Sequence, residues 1–122
     1  MILLKRAYDR ASHADGERFL VERLWPRGIR KSALPLESWL KDIAPSTELR
    51  KWFNHDPAKW KQFQRRYRAE LSTSPQVWEP LVQKARGGTI TLVYSSHDVD
   101  HNNAVVLKEF LQEKLSHHAK AA

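Results

Sequence analysis

The chain contains no cysteine. That absence excludes a disulfide framework, a thiol nucleophile and a thiolate-bound metal, and it fits the cytoplasm. Long apolar runs are missing too. None approaches the ~20 residues that a bilayer-crossing helix needs, so no membrane partner is expected. The opening Met1-Ile-Leu-Leu-Lys-Arg sets its charges behind a very short apolar run, the reverse of a secretory signal. Glycine is scarce, with four residues. There is no Gly-rich phosphate loop, no Gly-x-Ser-x-Gly and no His-Glu-x-x-His. Internal repeats, linkers and low-complexity segments are absent as well.

Acidic residues are the scarcer charge, 14 against 21 lysines and arginines, which leaves a formal charge of +7. Such a surplus favours an anionic partner, whether nucleic acid, nucleotide or phosphorylated metabolite; its plainer use is a basic, well-solvated surface. Hydrophobic and charged fractions of 41% and 29% are ordinary for a folded chain and argue against wholesale disorder. At 122 residues the length suits one domain, residues 1–122, with one hydrophobic core.

Three stretches read as strands. Ile2 to Tyr8 opens apolar and ends on Arg6-Ala7-Tyr8. Phe19 to Trp25 carries Phe19, Val21 and Leu24 among polar residues. Pro26 ends it, because proline has no amide proton for a ladder, and Gly28 permits a sharp change of direction. Thr89 to Tyr94 is β-branched and bounded by Gly87-Gly88. Five stretches read as helices. Residues 35–40 have Pro35 near the first turn, and Thr47 to Phe53 is capped by Ser46. Residues 57–71 put Trp60, Phe63, Tyr67 and Leu71 on one face, a shorter helix begins at Ser74, runs through Val77, Trp78, Leu81 and Val82 and is terminated by Arg86-Gly87-Gly88, and 104–115 make a last one. Residues 116–122 are expected to fray. The expected fold is a small α/β domain, with a short, mainly parallel sheet of about three strands flanked by five or so helices.

Two stretches concentrate chemistry, and each follows a strand. The first presents Arg23, Trp25 and Arg27; the second is Ser95 to Asn103. In open α/β sheets ligands gather beyond the carboxyl ends of strands, so parallel, adjacent strands would bring these exits, with Arg6, to one pocket. Guanidinium groups grip phosphate or carboxylate through paired hydrogen bonds and stay charged. Arg6, Arg23 and Arg27 are therefore candidate anion ligands, and Trp25 offers an apolar wall or stacking face. The competing use of Arg23 is an ion pair with Glu22, Glu109 or Asp98, with Trp25 in the core. Asp98 can orient His101 and raise its basicity, which makes the pair a candidate general acid or base. Asn102 and Asn103 can hydrogen-bond a substrate. Equally, Asp98, Asp100 and Asn103 suit the cap of the following helix. His97, Asp98, Asp100 and His101 are competent metal ligands, but their spacing matches no motif of known geometry. Neither a metal nor a cofactor is expected.

Lys59, Lys61, Arg65, Arg66 and Arg68 cover the outer arc of the 57–71 helix. Such a face can follow a phosphate backbone, making nucleic acid the second candidate partner. Its aromatics, however, collect on the inward face as core residues do, which favours a solvated surface.

Asp15-Gly16, Arg23-Leu-Trp-Pro-Arg-Gly28, Ala44-Pro-Ser46 with Glu48-Leu-Arg50, Trp52-Phe-x-His-Asp-Pro57, Phe63-x-x-x-Tyr67 and His101-Asn-Asn-Ala104 occur in this order. Together they resemble the YeaO-like proteins, the bacterial domain of unknown function 488, over roughly Leu3 to Leu111. The resemblance implies that Arg23, Trp25, Pro26, Arg27, Gly28, Asp98, His101 and Asn102 lie on the family's signature. It also implies that Ser46, Arg50 and His55 add to the pocket from the helical side. His97 departs from the family's pattern, which weakens a metal further. The functional expectation is a cytoplasmic protein that binds an anionic, phosphate- or nucleotide-like ligand, with hydrolysis or group transfer as the chemistry if it is an enzyme. The alternatives are a nucleic-acid-binding or regulatory module using residues 57–71, and an interaction protein without catalysis.

Overall fold

A strand buried on both faces is written as an unbroken apolar run, and Ile90–Tyr94 is buried at every residue. It is the fourth of four strands in the computed structural model, which describes residues 1–121, with side chains through Ser116. The strands are β1 (Ile2–Arg6), β2 (Glu17–Leu20), β3 (Ser38–Trp39) and β4 (Ile90–Tyr94). Their order is β1-β4-β2-β3, and all three pairings are parallel. Arg6 pairs with Tyr94 and Leu20 with Val93, so three strands end nearly level and their continuations leave along one edge.

Strand alternation sorts the core. Phe19, Val21, Leu92 and Tyr94 face the larger cluster, built with the helices. Leu20 and Val93 face the other way, where Ala7 and Leu34 join them and Trp25, Ile29, Leu36 and Trp39 pack alongside. Thr91 is the polar member of β4, and its hydroxyl is satisfied by the Asp15 carbonyl at 2.7 Å. Gly16 lets the turn before β2 approach β4. Its φ is +64°, and a Cβ there would stand 2.0 Å from the Thr89 carbonyl oxygen.

Four helices complete the fold: α1 (Thr47–Phe53), α2 (Trp60–Ser72), α3 (Pro75–Gly87) and α4 (Asn103–Ala121). Ser46 caps α1 by accepting the Leu49 amide at 3.1 Å. Asn54 and His55, both at positive φ, close it. The inward stripe of α2 is as expected: Phe63, Tyr67 and Leu71 are buried. Residues 57–59 form a 3-10 turn before it rather than its first α-turn.

Two expectations need correction. Residues 35–40 are not a helix: Ser38–Trp39 pair with Phe19–Leu20 as β3. The Glu37 and Leu40 amides donate to the Arg18 and Leu20 carbonyls, and docking Leu34 and Trp39 onto the outer sheet face outweighs local helix preference. The second strand stops at Leu20 instead of Trp25. Beyond Val21 the ladder is replaced, because the Glu22 carbonyl accepts the Trp39 indole at 2.6 Å. The helix expected from Ser74 to the Arg86-Gly87-Gly88 stop is α3, with Pro80 inside it and its ring on the exposed side. Side chains beyond Ser116, and Ala122 altogether, lie outside the described residues, as does the expectation of a frayed tail over 116–122.

Candidate functional site

The level strand ends open into a cleft of about 850 Å³. Its walls come from the segments after β1, β2 and β4, from α1, and from the start of α2. The two chemically dense stretches meet here: Arg6, Arg23, Trp25, Arg27, Asp98, His101, Asn102 and Asn103 all line it. Leu24 and Tyr8, 59% and 46% exposed, add apolar surface to the lining.

The four arginines of the cleft are used differently. Arg6 lashes the loop after β4 to β1: Nε donates to the Ser96 carbonyl at 2.8 Å, and Nη2 lies 3.2 Å from His97 Nδ1. Its guanidinium also lies over the Tyr8 ring. Among the described residues Arg23 pairs with no carboxylate; Nε donates to the Pro45 carbonyl at 3.1 Å and Nη2 to the Ala44 carbonyl at 3.2 Å. Neutral carbonyls orient the group while leaving its charge uncompensated. Arg27 is exposed; its backbone carbonyl accepts the Tyr8 hydroxyl at 2.8 Å, and its side chain is in no hydrogen bond or ion pair among the described residues. Arg50, reaching in from α1, forms no side-chain hydrogen bond or ion pair among the described residues, and its Nε is buried without a partner. Such a group is costly unless something in the cleft satisfies it.

Facing Arg50 is Glu22. One oxygen accepts the Ser95 amide at 3.2 Å. Burial raises its pKa to about 7, and the Ser95 amide and the Arg50 charge only partly oppose that rise. Sequence reasoning placed Arg50 here by resemblance and saw Glu22 only as an ion-pair partner for Arg23. The available signal for Glu22 was a lone carboxylate inside an apolar run.

Asp98 and His101 adopt an oriented pair. The carboxylate accepts the Asp100 and His101 amides, each at 3.0 Å, and holds His101 Nδ1 at 3.0 Å. Desolvation works to raise the Asp98 pKa, but those amides and the imidazole outweigh it and hold it below 3.8. The His101 ring stands edge-on to Trp60, 5.1 Å between centroids, with Nε2 left for a ligand or water. The asparagines are more committed. Asn102 donates to the Asp98 carbonyl at 2.9 Å and caps α4 by accepting the Val105 amide at 3.1 Å. Asn103 donates one N–H to the Val21 carbonyl at 2.7 Å, pinning α4 to the end of β2; its amide oxygen and second N–H are engaged by no other described residue. Trp25 is fixed by its indole on the Ile29 carbonyl at 2.7 Å and meets Trp39 edge-on.

The basic arc of α2 is partly spoken for. Lys59 donates to the Trp52 carbonyl at 2.8 Å, Arg66 lies over the Trp52 ring, and Arg68 pairs with Glu113. Lys61 and Arg65 are exposed and in no ion pair among the described residues. Among those residues no helix is long and apolar enough to cross a membrane.

Comparison with known proteins adds the family. The family described as DUF488-N3i, "Inactive DUF488-N3 subclade", matches residues 1–122. "Uncharacterized protein YeaO" of Escherichia coli K12 is 44% identical over 111 residues, covering 91% of this chain and 96% of that protein. "Uncharacterized protein Rv3073c" of Mycobacterium tuberculosis H37Rv is 38% identical over 111 residues, 90% of this chain and 92% of that one. No solved structure gives a significant match. By the whole-length family match and the identity to YeaO, the chain belongs to the YeaO-like DUF488 family.

Proposed function

We propose that the cleft binds a small anionic ligand, phosphate- or nucleotide-like, and holds it without turning it over. The observation that carries this reading is Arg50, a guanidinium in the cleft wall with no partner among the described residues and a buried, unsatisfied Nε. Arg23, oriented by carbonyls, and the unpaired Arg27 supply further charge at the same opening. The volume suits a ligand of mononucleotide size, and the apolar flanks of Leu24, Trp25 and Phe53 suit a ring beside the anion. The word "inactive" in the family description favours retention over catalysis. A thermal-shift series with nucleoside monophosphates, sugar phosphates and inorganic phosphate tests it. The wild type should be stabilised by at least one of them, and Arg50→Ala and Arg23→Ala should each lose that shift while staying folded. Unchanged shifts in both variants refute the reading.

A second reading, hydrolysis or group transfer on a nucleotide, is favoured by the Asp98–His101 geometry, which leaves Nε2 positioned as a base. Turnover of nucleotides by the wild type, lost in His101→Ala, would establish it. No turnover by the wild type removes it.

A further inference from the structure

Among the described residues the Arg50 side chain has no hydrogen-bond partner, with its Nε buried, and the Glu22 carboxylate has one, the Ser95 amide. One Glu22 oxygen takes that amide, while the other accepts no hydrogen bond from the described residues. Both side chains line the same cavity, and the Arg50 charge is felt at the Glu22 carboxyl. An anion drawn to Arg50 therefore arrives beside a second negative charge in a largely desolvated position, where like charges repel strongly.

We propose that an anion carrying no hydrogen-bond donor enters this cleft together with one proton, which Glu22 takes up. As a neutral acid, Glu22 donates to the anion instead of repelling it, so the same residue changes from barrier to ligand. The proposal rests on the reading of the cleft as an anion site and names what gates it. The Glu22 carboxyl titrates at about 7 without a ligand, so the required proton is available near neutrality and scarce above it.

Other charged and titratable groups line the same cleft: Arg6 from β1, Arg23 and Arg27 from the segment of Glu22 itself, Arg50 and His55 from α1 and its end, and His97, Asp98 and His101 from the loop after β4; behind it, Tyr67 of α2 feels both Glu22 and Glu70. The histidines also gain charge as pH falls and would strengthen anion binding in their own right. A comparison that changes Glu22 alone separates the two sources.

The probe is inorganic sulfate, which offers no donor across the neutral range. Its affinity for the full chain is measured by calorimetry between about pH 6 and pH 8.5, for the wild type and for Glu22→Gln. The wild type should lose about tenfold in affinity for each pH unit above about 7. Glu22→Gln, which always carries a donor, should lose far less and should bind roughly 30-fold tighter than the wild type near pH 8.5. For the wild type alone, titrations in two buffers of different ionisation enthalpy should count close to one proton taken up at pH 8.5 and little at pH 6. This keeps the test valid even where the variant misfolds. Sulfate bound with no proton uptake, or a parallel loss in both proteins, overturns the gating and leaves the anion site standing. No sulfate binding at any pH in the folded wild type overturns both.

Discussion

Replacing Glu22 by glutamine should make this protein more stable at pH 8 and leave it nearly unchanged at pH 5. The folded carboxyl titrates at about 7 against an ordinary value of 4.5. Between those values the folded chain keeps a proton that the unfolded chain has released. Stability is therefore fully present below about 4.5 and declines as pH rises through 7. The whole interval corresponds to roughly 3 kcal/mol. Glutamine is the same shape and carries no charge, so it escapes that decline. It still accepts the Ser95 amide, though the bond is weaker than one to a carboxylate by about 1 kcal/mol. The net expectation is a gain of about 2 kcal/mol at pH 8 and a loss of at most about 1 kcal/mol at pH 5. Urea unfolding of both proteins at the two pH values measures it. A stability difference that does not change with pH would refute the reasoning, because it would mean that the Glu22 carboxyl ionises as readily in the fold as outside it.

Three further outcomes follow from the packing. Gly16→Ala combines a positive φ with a Cβ 2.0 Å from the Thr89 carbonyl, and should cost roughly 3 kcal/mol or more by chemical denaturation. Tyr67→Phe removes a fully buried hydroxyl that donates to the Ile43 carbonyl at 2.7 Å, at a cost of about 2 kcal/mol and with the fold retained by circular dichroism. Asp15→Asn strips the buried Arg18 of its carboxylate, 2.6 Å away, and should cost about 3–5 kcal/mol. Burial works to raise the Asp15 pKa, but Lys5, the Ser12 amide and Arg18 hold it below 3.8. The wild type's advantage over Asp15→Asn should therefore shrink as pH falls through and below that value in an acid titration.

Where the signal was local, the sequence was readable. Phe63, Tyr67 and Leu71 recur on one helical face, and Ser46 marks a helix start with a side chain that bonds the Leu49 amide. The run Ile90–Tyr94 announces a buried parallel strand because nothing in it seeks water except Thr91. Residues 38–39 could not be read this way. Their strand has two residues, and it exists because β2 offers carbonyls and the outer sheet face needs Leu34 and Trp39. The overlong second strand has a similar origin. Leu20, Val21 and Leu24 all look apolar, yet Leu24 is 59% exposed, since the chain has already turned toward the Trp39 indole. In the cleft, chemically rich residues could be named in advance, but not what each has left to give. Asn102 and Asn103 are largely consumed by α4 and Val21, and Arg6 by the loop it ties down. Arg50 stands out through the absence of partners, a fact that only the assembled fold contains.

The strand order carries a consequence for how the molecule comes into being. β1 and β2 never touch as neighbours; β4 lies between them, and it is the last strand to be synthesised. A nascent chain that stops at Thr89 holds both outer partners and has nothing to zip them together. Its helices can begin to form locally, but the sheet waits for a pairing whose register joins Ile2 to Ile90. Contacts so distant along the chain slow folding, because the loop must be closed before it is rewarded. Sheet formation thus becomes a late, all-or-none event, and a chain cut short before Ile90 would keep β1 and β2 as exposed, sticky edges instead of half a protein.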